Sequence, residues 1–331
     1  MIEVDGGYGE GGGQILRSSL TFSAITGKET RIRGIRVKRP NPGLRAQHLA
    51  AVKATSIITS GRLEGAKIGS TEIIFKPGKI KGGRYEFDIG TAGSITLLLQ
   101  TLIPILIFSN AESYLEVRGG TDVKWSPSID YFKMLFLELL ERRGIRARCE
   151  VIRRGYYPKG GGLVRAEVLP SVPRALNFED RGREKRIWGR LHSNLHEEIT
   201  KRLIRSIEGI EIDEERSNAI SPGIGITLFA EYKRSTLGSC ALGERGVRAE
   251  KVGRKCQEKL KEEMSSKATL DVHAMDQLIP YISLFGGVAK ARELSRHAST
   301  NIYVAERFLE KVFKVEGSSE GVIISSKGAR L

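Results

Sequence analysis

Apolar residues along the chain follow two spacings. Longer segments repeat every 3.6 residues, as one face of a helix does, and short β-branched runs sit between Gly, Pro or Asn. The order of these segments recurs. Helical spacing over Gln14–Thr26 stops at Gly27, a strand follows over Arg31–Lys38, and a second helix over Gly43–Ser60 stops at Gly61. Strands at Glu72–Phe75 and Tyr85–Ile89 close this set. The second set has a helix over Ala92–Phe108, a strand at Ser113–Arg118, a helix over Pro127–Arg143 stopped by Gly144, and strands at Ile145–Ile152 and Leu163–Val168. The third has a helix over Asp271–Phe285, a strand at Ala289–Leu294, a helix over Ser299–Glu310, and strands at Val312–Val315 and Gly321–Ser325.

This pattern predicts an α+β fold of three repeated βαβαββ-type units in a pseudo-threefold arrangement. Gln100-Leu-Ile-Pro104 echoes Gln277–Pro280 one residue out of step. The repeats would occupy residues 1–175 and 268–331, a discontinuous domain. Residues 176–267 carry their own helices (Leu195–Glu208, Val247–Met264) and a strand (Ile224–Tyr232), and read as a small inserted α+β domain. The loops before the repeated helices (6–13, 38–42, 90–94, 119–126, 268–271, 295–298) would then gather helix N-termini around a cleft suited to phosphates.

Charge sharpens that picture. Across 331 residues, 54 Lys+Arg against 39 Asp+Glu give a net charge of +15. The excess is spread along the chain, which suits a polyanion such as nucleic acid or a merely soluble basic surface. Cys149, Cys240 and Cys256 make neither a disulfide framework nor a zinc cluster, so a reducing, cytoplasmic setting is expected. The longest apolar run, Ile95–Phe108, contains Gln100 and Pro104 and is too short for a bilayer span.

The candidate chemistry begins in the opening loop, Gly6–Gly13. Its GxGxxG lacks a full preceding strand and carries Glu10 where a pyrophosphate would lie, and no Lys-Ser/Thr follows. The dinucleotide and Walker readings therefore both fail. Glu10 among exposed amides suits a Mg²⁺ shared with phosphates, or a solvated turn. Arg17, Arg36, Lys38 and Arg39 could hold phosphate oxygens, and Gln47 and His48 could face the same cleft. The HSNLH segment, with His192 and His196, lacks the glutamate a zinc protease needs. His297, in SRHASTN between a strand and a helix, is a candidate nucleophile on phosphorus or a satisfied structural histidine, with Ser299, Thr300 and Asn301 able to cap or orient.

The motifs GEGGGQILR, KRPNPGLRAQHL, GTAGS with Gln100, GGTD, HAMDQ and HASTN, in this order, resemble the RNA 3′-terminal phosphate cyclases over nearly the whole chain. The resemblance implies an ATP-dependent conversion of an RNA 3′-phosphate to a 2′,3′-cyclic phosphate with Mg²⁺ or Mn²⁺. His297 would become adenylylated and pass AMP to the RNA end, and the neighbouring 2′-hydroxyl would then expel AMP. It further implies Glu10 as metal ligand and Arg17, Arg36, Arg39, Gln47 and His48 as contacts to the RNA end. The nucleotide pocket would comprise Gln100, Pro127, His273, Ala274, Met275, Asp276 and Gln277. Asp122 of GGTD matches as a motif without a role. Three alternatives stand beside this: a non-catalytic ribosome-assembly relative, which would lack the histidine; an enolpyruvyl transferase, which would show six units; and a plain RNA-binding module. A homodimer is neither implied nor excluded.

Overall fold

The computed structural model describes residues 1–329. Its first sheet contains β1 (Ile2–Asp5), β2 (Thr30–Arg33), β3 (Arg62–Glu64) and β4 (Ile73–Lys76) in the order β1-β2-β4-β3. β1 and β2 run parallel, with Val4 opposite Ile32, and the other two pairings are antiparallel. The second sheet has β5 (Gly83–Asp88), β6 (Ser113–Gly119), β7 (Ala147–Arg153) and β8 (Gly162–Val168) in the order β5-β6-β8-β7. Again the first pair is parallel and the rest antiparallel.

β9 (Leu176–Phe178) comes next, and four strands then make a sheet of their own: β10 (Glu184–Ser193), β11 (Glu211–Arg216), β12 (Ile224–Tyr232) and β13 (Thr236–Leu242). β14 (Gly287–Ala291), β15 (Phe313–Ser318) and β16 (Gly321–Ser326) join β9 in the last sheet, ordered β15-β16-β14-β9. There β9 and β14 are parallel and the other pairings antiparallel.

The helices that connect these strands are α1 (Gly13–Thr26), α2 (Ala46–Thr59) and α3 (Ile95–Leu106), then α4 (Ile129–Tyr131) running through a π turn (Phe132–Phe136) into α5 (Leu137–Glu141). α6 (Glu197–Arg205) and α7 (Ala249–Ser265) cover the β10–β13 sheet, and α8 (Val272–Phe285) and α9 (Arg296–Leu309) follow. α1 packs on α2, α3 and α9, and α3 also meets α8. α3 is almost wholly buried, including Ile95, Leu98, Leu99, Leu102 and Ile103. Truncating one such leucine to alanine typically costs about 2–5 kcal/mol. One hydrophobic core links the three outer sheets and their helices, and a second holds Leu191, Leu203, Leu228, Leu237, Cys256 and Leu260 beneath α6 and α7.

Several sequence expectations shift. The Tyr85 strand opens the second sheet and pairs with β6, so it belongs to the following set of elements and not the first. Strand β3 was not anticipated; it is three residues long. β9 lies at the start of the segment read as an insertion, yet it pairs with β14. β2 ends at Arg33, because Gly34 (φ 65°) and Arg36 (φ 56°) take left-handed conformations that end the extended run. α9 starts at Arg296, three residues earlier than its apolar spacing indicated, because the Ser295 hydroxyl accepts the Ala298 N–H at 2.9 Å and caps it.

Candidate active site

The opening loop lies against the first turn of α9. A Cβ at Gly9 (φ 56°) would stand 3.1 Å from Thr300 Oγ1, and Lys38 Nζ donates to the Gly9 carbonyl at 3.1 Å. Glycine at position 9 suits both the left-handed backbone and this close approach. Two residues into α1, Gln14 reaches His297. Its Nε2 donates to the His297 carbonyl at 3.2 Å, which turns its Oε1 toward the His297 Nδ1–H. Nδ1 therefore carries the proton, and the lone pair of Nε2 is left free. His297 is exposed and sits in the helix's first turn, not in a loop as its sequence context suggested.

The neighbours of His297 fix α9 in place. Ser295 Oγ donates to Asp276 Oδ1 of α8, and Asn301 Nδ2 donates to the Asp276 carbonyl at 2.7 Å. Ser18 Oγ of α1 donates to Asn301 Oδ1 at 2.5 Å. Ser299 and Thr300 return their hydroxyls to the carbonyls of Ser295 and Arg296. Glu10 stands beside this turn, with Oε2 at 3.3 Å from Arg39 Nη2 and Oε1 at 3.8 Å from Arg296 Nη1.

A group of cations lies at the head of α2. His48 Nδ1 accepts the Arg45 N–H at 3.2 Å, and the same ring abuts Gly13, whose Cβ would come within 2.2 Å of Nε2 and 3.2 Å of Arg17 Nη1. Burial, joined by the charges of Arg17, Arg36 and Arg45, pushes the His48 imidazolium down to about 3, so the ring is neutral. Burial also lowers the Arg17 guanidinium to about 10, leaving it charged at neutral pH. Arg36 is bent back by its left-handed backbone, and its Nη1 donates to the carbonyls of Asn41 (2.6 Å) and Gly43 (3.0 Å). Concentrated positive charge of this kind suits an anion.

Gln47 takes a different place. Its Oε1 accepts the Ser94 N–H at 2.9 Å and so ties α2 to the 90–94 loop. Arg39 is engaged with Glu10 rather than with Arg17 and His48. Of the residues grouped as a nucleotide pocket, Gln100 Nε2 donates to Gln277 Oε1 at 2.6 Å, and Gln277 Nε2 donates to the His273 carbonyl at 2.9 Å. His273 is exposed with Nδ1 3.9 Å from Asp276 Oδ2, and the nearby Asp276 carboxylate raises its pKa. The Pro127 carbonyl accepts Thr96 Oγ1 at 3.0 Å. Ala274 and Met275 are buried in the hydrophobic core, so they support this group from beneath.

Sequence reasoning gave no role to Gln14, Arg45, Ser295 or Arg296. Each sits within three residues of one it did single out, and helical geometry, not residue type, carries the signal. Asp122 acquires a clear environment. Arg154, 1% exposed, donates to Asp122 Oδ2 (3.1 Å), Asp130 Oδ1 (2.9 Å) and Glu215 (2.7 and 2.8 Å). His192 of β10 completes the group, with Nε2 3.3 Å from Asp122 Oδ1 and Nδ1 2.8 Å from Tyr156 Oη. Burial pushes the Asp122 carboxyl up, but His192 and Arg154 hold it well below the usual range. Asp122, Asp130 and His192 are metal-type donors within 4.8 Å of one another, but one oxygen of each carboxylate already holds Arg154. No helix among the described residues is long and apolar enough to cross a membrane.

A family model described as RNA 3′-terminal phosphate cyclase matches residues 8–315. Proteins bearing that name are similar over almost their full length. The one from Methanococcoides burtonii is 46% identical over 98% of this chain and 99% of its own. That from Archaeoglobus fulgidus is 44% identical over 96% and 98%, and that from Pyrococcus furiosus 43% identical over 96% of each. The ordered motifs and the full-length similarity agree, and this chain is a member of the RNA 3′-terminal phosphate cyclase family.

Proposed function

We propose that this chain uses ATP to convert an RNA 3′-phosphate into a 2′,3′-cyclic phosphate, with His297 as the nucleophile. The observation that carries this reading is the Gln14–His297 pair, which directs the proton to Nδ1 and leaves the Nε2 lone pair exposed. Nε2 attacks the α-phosphorus of ATP, an N–P bond forms, and the bond to pyrophosphate breaks. An oxygen of the RNA 3′-phosphate then displaces the histidine and takes the AMP. The adjacent 2′-hydroxyl attacks the activated phosphorus, loses its proton, and AMP departs. Holding the two reacting groups on one ribose makes the last step unimolecular.

Arg17, Arg36 and His48, with Arg45, are the contacts to the terminal phosphate, and Gln47 braces them by gripping Ser94. Arg39 sets the Glu10 carboxylate. Gln100, Pro127, His273, Asp276 and Gln277 form the nucleotide pocket, over Ala274 and Met275. Glu10 suits Mg²⁺ or Mn²⁺, since one carboxylate beside a phosphate site supplies the oxygen donors such ions share with phosphates. When bound, the ion would offset phosphate charge. The three outer sheets share one order and one set of strand directions, which supports three βαβαββ-type units in a pseudo-threefold arrangement. A separate apolar core supports an inserted domain within residues 176–267, entered after β9. We place the enzyme in the cytoplasm, on the pattern of three free cysteines.

Incubation with ATP labelled at the α-phosphate, with Mg²⁺ or Mn²⁺, tests the proposal. The wild type should acquire an acid-labile label, and His297→Ala should acquire none. A wild type that never labels, or an alanine variant that labels equally, removes the assignment. Glu10→Ala should lower metal-dependent turnover.

A further inference from the structure

Trp125 is 94% exposed and its backbone is left-handed, at φ 63°. Bulky residues rarely adopt that conformation, and strain of this kind tends to gather at functional sites. The turn that holds it is anchored on both sides: Ser126 Oγ donates to the Val123 carbonyl at 2.9 Å, and Lys124 Nζ meets Glu244 at 2.7 Å. The ring thus stands in water on a fixed support, with no packing inside the molecule to offset the strain.

A second ring lies on the adjoining loop. The Thr121 N–H donates to the Gly155 carbonyl at 2.9 Å and Asp122 bridges Tyr156, so the two loops start side by side, at residues 121–122 and 155–156. Tyr157, one residue past that bridge, is 78% exposed and precedes the exposed Lys159. The Lys159 N–H donates to Ser221 Oγ at 3.2 Å, which anchors this loop to the β10–β13 part of the molecule. Half-exposed Ile220 lies against Gly161 at its far end.

Backbone links these rings to the cationic group. Gln47, next to His48, holds Ser94; Ser94 bridges Gly120; and Gly160 lies so close to Ala92 that a Cβ would stand 2.8 Å from its Cα. Buried backbone contacts thus connect the loops that carry Trp125 and Tyr157 to the head of α2, where the arginines stand.

We propose that Trp125 and Tyr157 form a base-stacking platform for the nucleotides that precede the terminal phosphate of a single-stranded RNA. Every base has a π-face, so stacking grips a strand without reading its sequence, while Lys159 and the net positive charge attract its backbone. This inference rests on the RNA 3′-end reading above.

Oligoribonucleotides carrying a 3′-phosphate, two or eight residues long, provide the test. Trp125 emission should be quenched by the longer strand, and Trp188, stacked on Phe229, serves as the internal reference in Trp125→Phe. Trp125→Ala and Tyr157→Ala should each weaken binding of the eight-residue strand about fivefold to a hundredfold. Tyr157→Phe should restore it, and the two-residue strand and His297 labelling by ATP should be unchanged. Equal affinity of wild type and both alanine variants for the long strand overturns the platform. A loss confined to ATP labelling also overturns it, because the rings would then serve the adenine. A wild type that neither labels nor cyclises RNA fails at the preceding reading instead.

Discussion

His48 is a neutral base enclosed by cations, and its titration reports on what the cluster holds. Its folded-state pKa of about 3 lies below the roughly 6.5 of an unfolded histidine, so the unfolded chain takes up a proton that the folded chain refuses. The stability this group contributes is present above pH 6.5 and is lost as pH falls toward 3. A phosphate dianion among Arg17, Arg36 and Arg45 reverses the local field and should draw the His48 pKa back toward neutrality. NMR titration of the imidazole should show no transition above pH 5 in the free protein and a transition near neutral pH with a 3′-phosphorylated nucleotide. An unmoved titration would mean that the anion sits elsewhere. Arg17 and Arg36 were legible in the sequence as candidates; Arg45 was not. Their convergence was not, because Arg36 enters through a left-handed residue and Arg45 by capping α2.

At the scale of elements, the first turn of α9 does two jobs with one serine. Ser295 caps the helix through the Ala298 N–H and donates to Asp276 of α8. Ser295→Ala should cost about 1 kcal/mol, seen as a lower melting temperature, and should slow adenylylation more than it weakens ATP binding. A fall in stability with an unchanged labelling rate would mean that Gln14 alone orients His297. Helical periodicity located α3 and α8 well, because both carry long buried faces, with Ser94 capping the start of α3 and Asp271 and Gly286 bounding α8. It placed the start of α9 too late, since Arg296 and His297 are exposed and add nothing to an apolar rhythm. Strand membership was harder still: β5 and β9 each pair with a strand that follows a helix or a whole inserted segment, which local pattern does not encode.

Over the whole molecule, Arg154 joins the second sheet to the β10–β13 sheet through Asp122, Asp130 and Glu215. Arg154→Met would strand two buried carboxylates and should cost on the order of 3–5 kcal/mol, read as a large drop in the denaturant midpoint. A variant as stable as wild type would show that the buried carboxylates do not depend on Arg154. None of this was legible, because the partners lie up to 61 residues apart and meet only once the inserted segment has docked. The contact between Gln14 and His297 spans 283 residues, and Tyr8 stacks on Tyr303 at 3.8 Å between centroids. During synthesis the opening loop therefore waits, exposed and without its partner, until the ribosome has released α9. A nascent or C-terminally clipped chain would hold the opening loop and Gln14 but lack His297, so the pair forms only after α9 has been made.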